Sequence, residues 1–170
     1  MSNIIIVEGI DRVGKTTLCS QIIAKQNKYK IVKYDSQIIK CKDRQNDYET
    51  DKSLLTLEMC KKFDCWALFD RLHLSDYVYG IVQRNYNKRK AYENFQLIEK
   101  YINQSFENAI LILVKPTDIK RSSKEHGRKL SEHEMWFEDI FELSKIKNKI
   151  TCDYNTIDNT IKILLKEVQQ

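Results

Sequence analysis

The apolar run Ile4-Ile5-Ile6-Val7 leads through Glu8 into Gly9-Ile10-Asp11-Arg12-Val13-Gly14-Lys15-Thr16, an octet that fits Gly-x-x-x-x-Gly-Lys-[Ser/Thr]. No other feature restricts the fold as tightly, because the pattern needs a strand before it and a helix after it. Gly9 and Gly14 let the backbone wrap a di- or triphosphate with its N–H groups, those of Val13 and Thr17 among them. Lys15 neutralises charge on the β- and γ-phosphates, and the Thr16 hydroxyl reaches Mg²⁺. The residues that follow, Thr17-Leu18-Cys19-Ser20-Gln21-Ile22-Ile23, read as a helix whose positive N-terminal end points at the anion.

At 170 residues the chain fits one domain, 1–170, with room for a substantial core. Hydrophobic residues at 42% and charged residues at 31% match a soluble globular protein rather than a disordered one. No apolar run approaches the roughly 18 to 20 residues of a membrane span, and Met1-Ser2-Asn3 has no basic leader. A cytoplasmic location with no membrane partner is the expectation. The five cysteines, Cys19, Cys41, Cys60, Cys65 and Cys152, form no C-x-x-C pair and read as free thiols. His73, His126 and His133 lack metal-ligand spacing and read as structural or exposed, with His73 alone placed near the substrate.

The net charge of +5 is concentrated in one place. Between Lys115 and Lys129 the chain carries Lys115, Lys120, Arg121, Lys124, Arg128 and Lys129 against Asp118 and Glu125. Such a segment either closes over a polyphosphate or forms a solvated face. No nucleic-acid-binding motif accompanies it, so no nucleic-acid partner is expected.

Apolar runs alternate with helical patterns, the signature of an α/β fold with a parallel sheet. Five strands are expected: Asn3 to Glu8, Tyr29 to Tyr34, Cys65 to Phe69, Ala109 to Val114 and Lys149 to Tyr154. Helices are expected after the phosphate loop to Lys25, over Asp51 to Lys62, Ser75 to Tyr86, Lys90 to Phe106 and Ser131 to Lys145, and from Asn159 onward. Ser131-Glu132-His133-Glu134 has capping-box character, Ser75 with Asp76 can open a helix, and Asp51 can cap another. The polar stretch Lys40 to Thr50 reads as a loop after a strand's C-terminal end. Leu55, Met59 and Tyr79 stand at spacings that more often mean packing than ligand contact.

A second constellation stands at the end of the third strand, Asp70-Arg71-Leu72-His73-Leu74-Ser75, followed by Asp76-Tyr77-Val78-Tyr79-Gly80. Beside the phosphate-loop strand, Asp70 suits a metal role and Arg71 offers a fork for a second phosphate.

Together these residues resemble the thymidylate kinase family. Glu8 through Thr17 is similar to its phosphate loop, and Asp70-Arg71-x-x-x-Ser75-x-x-x-Tyr79 to its Asp-Arg-[Tyr/His]-x-x-Ser-x-x-Ala-Tyr-Gln segment. The order of motifs extends the similarity over most of a chain shorter than typical members, like compact viral or phage monophosphate kinases. The resemblance implies a five-stranded parallel sheet between helical layers, ATP and Mg²⁺ as cofactors, and phosphoryl transfer to dTMP or a related pyrimidine deoxynucleoside monophosphate. It implies that Asp11 binds the sugar 3′-hydroxyl or nearby groups of the acceptor and that Arg12 braces the transferred phosphoryl group. It further implies that Arg71 holds the acceptor phosphate with Ser75 and Tyr79 beside it. Arg121 and Arg128 would be catalytic contacts from a lid at about 115–130. Asn155 and Thr156 would lie against adenine. The partner is then a small-molecule nucleotide, and a homodimer is compatible with the family.

Gly80 departs from the pattern, since that position often carries Gln or Thr toward thymine, and the base is left open. Phe63, Tyr79 and Tyr34 are candidates to stack on it and equally candidates for core. The nearest rival is a deoxynucleoside kinase acting on a 5′-hydroxyl, with Glu8 as general base, although Ile10-Asp11-Arg12 is not its loop sequence. A guanine-nucleotide switch lacks its Asn-Lys-x-Asp reader, and a polynucleotide kinase has only the lid charge in its favour.

Overall fold

β1 (Asn3–Glu8) is buried along its whole length, which is why it reads as a continuous apolar run and not as an alternation. In the computed structural model, which describes residues 3–25, 30–33, 45–117 and 129–167, β1 lies between β3 (Ala67–Asp70) and β4 (Asn108–Lys115). Beyond β3 comes β2 (Lys30–Lys33), and beyond β4 comes β5 (Asn148–Asp153), giving the order β2-β3-β1-β4-β5. Every pairing is parallel, with Ile5 opposite both Leu68 and Ile110.

Parallel neighbours need crossover connections, and these are right-handed. The step from β1 to β2 runs toward one edge of the sheet, whereas every later step runs toward the other. Right-handedness therefore puts α1 (Lys15–Lys25) on one face. It puts α2 (Gln45–Lys62), α3 (His73–Arg84), α4 (Lys88–Ser105) and α5 (Lys129–Leu143) on the opposite face. The contacts agree: α2, α3, α4 and α5 pack among themselves, and α1 packs against the last helix, α6 (Ile157–Glu167). The reversal of direction falls beside β1, so the crevice over its C-terminal end is where such a sheet binds ligands. None of the described helices is long and apolar enough to cross a membrane.

Helix starts differ from the sequence expectations for identifiable reasons. α2 begins at Gln45, so the polar stretch before Thr50 is helical from residue 45 and Asp51 lies inside the helix rather than capping it. The early turns carry polar side chains that are nevertheless buried, Glu49, Thr50 and Ser53, a pattern that apolar periodicity does not detect. α5 begins at Lys129, so Ser131 does not open it. α4 begins at Lys88, where the Asn87 side chain accepts from the Lys90 N–H at 3.1 Å. α6 begins at Ile157 after a turn in which Asp153 and Thr156 exchange hydrogen bonds.

Packing corrects one further expectation and bears out another. Leu55, Met59 and Phe63 are 60%, 52% and 65% exposed, so they are not core. His73 is buried: it stacks on Phe95 at 5.3 Å, and its Nε2 lies 3.2 Å from Glu99 Oε1. Glu99 also accepts from the Ser144 hydroxyl and the Lys145 N–H, which joins α3, α4 and the link into β5. Burial opposes ionisation of Glu99, yet its hydrogen bond and proximity to His73, with the Ser144 and Lys145 donors, hold it below the usual carboxylate range. His73 is therefore a structural histidine. Among the described cysteines, Cys19, Cys60, Cys65 and Cys152 are free thiols.

Gly80 is a packing position. A Cβ there would run into the Tyr86 ring, which folds back because Asn85 turns left-handed at the end of α3 (φ 54°) and the Tyr86 N–H reaches the Gly80 carbonyl at 2.9 Å. Gly80→Ala is expected to lower stability by about 1–3 kcal/mol. A denaturant midpoint for Gly80→Ala alone and with Tyr86→Ala checks this, the second change restoring much of the loss.

Candidate active site

The site begins with one buried acid. Glu8 ends β1 with no exposed surface, and its carboxylate takes the N-terminal donors of α3. Oε1 accepts from the N–H groups of Leu72 at 2.8 Å, Leu74 at 3.1 Å and Ser75 at 3.3 Å, and Oε2 accepts from the Ser75 hydroxyl. α3 has no side-chain cap of its own at Leu72, so the cap comes from the neighbouring strand. Anionic acceptors are favoured at this end of a helix. Ser75 and Asp76 accordingly do not open α3. Ser75 is bonded to Glu8, and Asp76 is buried beside Arg84 Nη1 at 3.2 Å. Burial, with Glu49 adding to it, pushes the Asp76 carboxyl up to about 7.

With α3 pinned to the end of β1, Asp70 and Arg71 fall over the phosphate loop. Asp70 stands opposite Val7 in the register, and the Arg71 N–H bonds the Val7 carbonyl at 2.9 Å. The Arg71 guanidinium pairs with Asp11, donates to Ser75 Oγ at 3.1 Å and to the Gly9 carbonyl at 3.4 Å, and lies 5.1 Å from the centre of the Tyr79 ring. Arg12 (φ 64°) and Arg71 (φ 76°) both hold left-handed backbone. Such backbone costs about 1–2 kcal/mol per residue, and strain of this kind gathers at functional sites.

Gly9 has φ +137°, and a Cβ on it would strike the Val114 carbonyl. Gly14 has φ +102°, with the Tyr154 ring 3.3 Å from where a Cβ would stand and Ile157 Cδ1 at 3.6 Å. The turn carrying Asn155 and Thr156 therefore sits against the phosphate loop. Lys15 is buried, and its Nζ donates to the Ile10 carbonyl across the loop. Burial first, and then the nearby charge of Arg71, lower its ammonium to about 8, opposed by Asp11, Asp70 and Glu8. The Thr16 hydroxyl donates to Asp70 Oδ2 at 3.0 Å. These two exposed oxygen donors fit Mg²⁺, which takes one or two protein oxygens and fills the rest of its shell with water and phosphate oxygens.

The structure thus gathers Gly9, Asp11, Val13, Gly14, Lys15, Thr16, Asp70, Arg71, Ser75 and Tyr79 around the end of β1, with Arg12 and Thr17 exposed on the same loop and helix start. Arg121 and Arg128, and the segment expected to form a lid apart from 115–117 and 129–130, lie outside the described residues. Tyr34 does as well. Lys115, where the basic segment starts, pairs with Glu138.

No protein-family model matches the chain, and no curated protein matches it in sequence. Solved structures do match in shape. The chain is similar to YorR from Bacillus subtilis, solved in complex with phosphorylated GDP, with a TM-score of 0.68 and 18% identity over 98% of this chain and 96% of that one. It is also similar to thymidylate kinase from Candida albicans, with a TM-score of 0.65 and 14% identity over 99% and 91%. Deoxyadenosine kinase from M. mycoides, with dCMP and dCDP bound, gives 0.56 and 14% over 98% of both chains. The chain has the P-loop kinase fold. Within that fold the Gly9–Thr16 loop and the Asp70-Arg71 pair meet over the end of the central strand.

Glu8 has a structural role that no motif in the sequence marks. Its one sequence signal is an acid closing an otherwise apolar buried strand.

Proposed function

We propose that this chain transfers the γ-phosphoryl group of ATP, with Mg²⁺, to the phosphate of a pyrimidine deoxynucleoside monophosphate, dTMP or a relative of it, to give the diphosphate. The observation that carries the reading is the Arg71 guanidinium, oriented by Asp11, Ser75 and the Gly9 carbonyl beside the loop that would hold the donor. Two anion seats side by side suit two phosphates about to be joined.

Lys15, Arg12 and the loop N–H groups would hold the donor phosphates, and Thr16 with Asp70 would hold Mg²⁺, whose charge offsets that of the β- and γ-oxygens. Asn155 and Thr156 would flank the ATP base, and Arg121 and Arg128 would close from the lid. Asp11 would hold both Arg71 and the acceptor sugar. An acceptor phosphate oxygen bonds to the γ-phosphorus as the bond to the β–γ bridging oxygen breaks, and ADP leaves. The attacking oxygen is already anionic, so no base is needed, and positioning with charge neutralisation supplies most of the rate.

Phosphorylation of a nucleoside hydroxyl would instead need a base. Glu8 is a poor one, because both its oxygens are engaged by α3 and it has no exposed surface. Arg71→Ala is expected to raise KM for the monophosphate about 10- to 100-fold, the loss of a charged hydrogen-bonding group, with KM for ATP unchanged. Steady-state kinetics varying each substrate check this, and an unchanged acceptor KM would remove Arg71 from the acceptor site.

A further inference from the structure

α2 ends in a tight reversal that sets two cysteines against each other. Asp64 takes left-handed backbone (φ 49°), and the chain turns back there along the last turn of the helix. The Asp64 N–H bonds the Lys61 carbonyl at 3.1 Å, and the Cys65 N–H bonds the Cys60 carbonyl at 2.8 Å. These two bonds make a Schellman closure, in which the residue after the left-handed one packs its side chain on the residue five positions before it. Here those two residues are Cys65 and Cys60. With standard bond lengths and a trigonal carbonyl, the 2.8 Å bond holds the two Cα atoms within about 6.7 Å of each other. A disulfide spans Cα separations of about 4.4 to 6.8 Å. Both side chains also share one apolar cluster: Cys60 is buried in it, and Cys65 packs against it while keeping some exposure. Burial first, and then the neighbouring Cys65 thiol, push the Cys60 thiol up from its ordinary value. The Cys65 thiol donates a long bond to the Phe63 carbonyl at 3.8 Å, a weak interaction that a covalent bond at sulfur readily displaces.

We propose that Cys60 and Cys65 are a reversible redox pair, closed to a disulfide by a small-molecule disulfide and reopened by thiols. The pair lies at the end of the sheet away from the phosphate loop, where α2 leads into β3, and its chemistry does not depend on the kinase reading. Cys65 is the entry point, because it alone of the two keeps appreciable exposure. Its thiolate sulfur attacks one sulfur of the reagent, the reagent's S–S bond breaks, and the released thiolate takes up a proton. Cys60 then gives its proton to solvent, its sulfur attacks the Cys65 sulfur of the mixed disulfide, and the second reagent thiol leaves. Two protein thiols are oxidised and one reagent disulfide is reduced to two thiols. Because burial raises the Cys60 thiol, the second step should quicken as pH rises. The new bond fastens the end of α2 to a residue two positions before β3. Cys19 and Cys152 are buried, so neither offers the reagent an entry.

The test treats the reduced full chain with oxidised glutathione, quenches with acid and maps the sulfurs by mass spectrometry without reduction, in the wild type, Cys60→Ser and Cys65→Ser. Lys61 and Lys62 stand between the two cysteines, so trypsin cuts the chain there and a bridge shows as two peptides that stay joined until dithiothreitol separates them. The wild type should give those joined peptides, with an intact mass lower by two hydrogens. Cys60→Ser should stop at a stable glutathione adduct on Cys65. Cys65→Ser should form no bridge, and Cys60 in it should take up glutathione about tenfold or more slowly than Cys65 does in the other variant, since a buried, high-pKa thiol is the poorer nucleophile. A wild type that gains only glutathione adducts, that keeps its reduced mass, or that bridges either cysteine to Cys19, Cys41 or Cys152 overturns the proposal. The wild-type measurement decides this without any variant having to fold.

Discussion

Replacing Lys15 with methionine is expected to lower kcat by about 10³-fold or more, the scale on which a preorganised charge acts in transfer chemistry, while the protein stays folded. The second half follows from burial. The ammonium is held at about 8, against an ordinary 10.5, so the native state binds its proton less tightly than the unfolded chain does. The resulting cost to stability is fully present below about pH 8 and disappears as pH rises toward 10.5. Removing the charge relieves that cost at neutral pH, so Lys15→Met should melt at the wild-type temperature or above it. Phosphate placed beside the ammonium raises its pKa again, so nucleotide binding should take up a proton near pH 8 and weaken above it. Calorimetric titration of ATP from pH 7 to 9.5 in two buffers of different ionisation heat measures this, and a pH-independent affinity would take Lys15 out of the binding site.

Glu8→Ala is the second large effect, and it falls first on the fold. The change leaves the N–H groups of Leu72, Leu74 and Ser75 and the Ser75 hydroxyl without their acceptor. A buried donor set stripped of a charged partner is expected to cost about 3 kcal/mol, or about 6–12 °C in a chain of this size. Because Ser75 also holds Arg71, KM for the acceptor should rise with it. Glu8→Gln keeps one acceptor oxygen and should lose about half as much stability. If Glu8 were instead the base of a nucleoside kinase, Glu8→Gln would abolish turnover with stability nearly intact. Thermal melts and kinetics on the two variants separate these outcomes.

The phosphate loop and the parallel sheet were legible because each depends on local pattern: glycines at fixed spacing, and strands buried on both sides that read as apolar runs. The Asp70-Arg71 pair was legible for a topological reason, since a strand beside the loop strand must end beside the loop. The first turns of α2 and α3 were not. Glu49, Thr50 and Ser53 are polar side chains that only tertiary packing buries, and the cap of α3 comes from a residue more than sixty positions away. Leu55, Met59 and Phe63 misled in the opposite sense, having helical apolar spacing without burial.

The central claim is that the acceptor is a monophosphate whose phosphate sits on Arg71. The most direct test offers the purified protein ATP and Mg²⁺ with a panel of deoxynucleosides and deoxynucleoside monophosphates and follows ADP release and product. The account predicts diphosphate formation from at least one pyrimidine monophosphate and none from the matching nucleosides, whereas phosphorylation of nucleosides alone would contradict it.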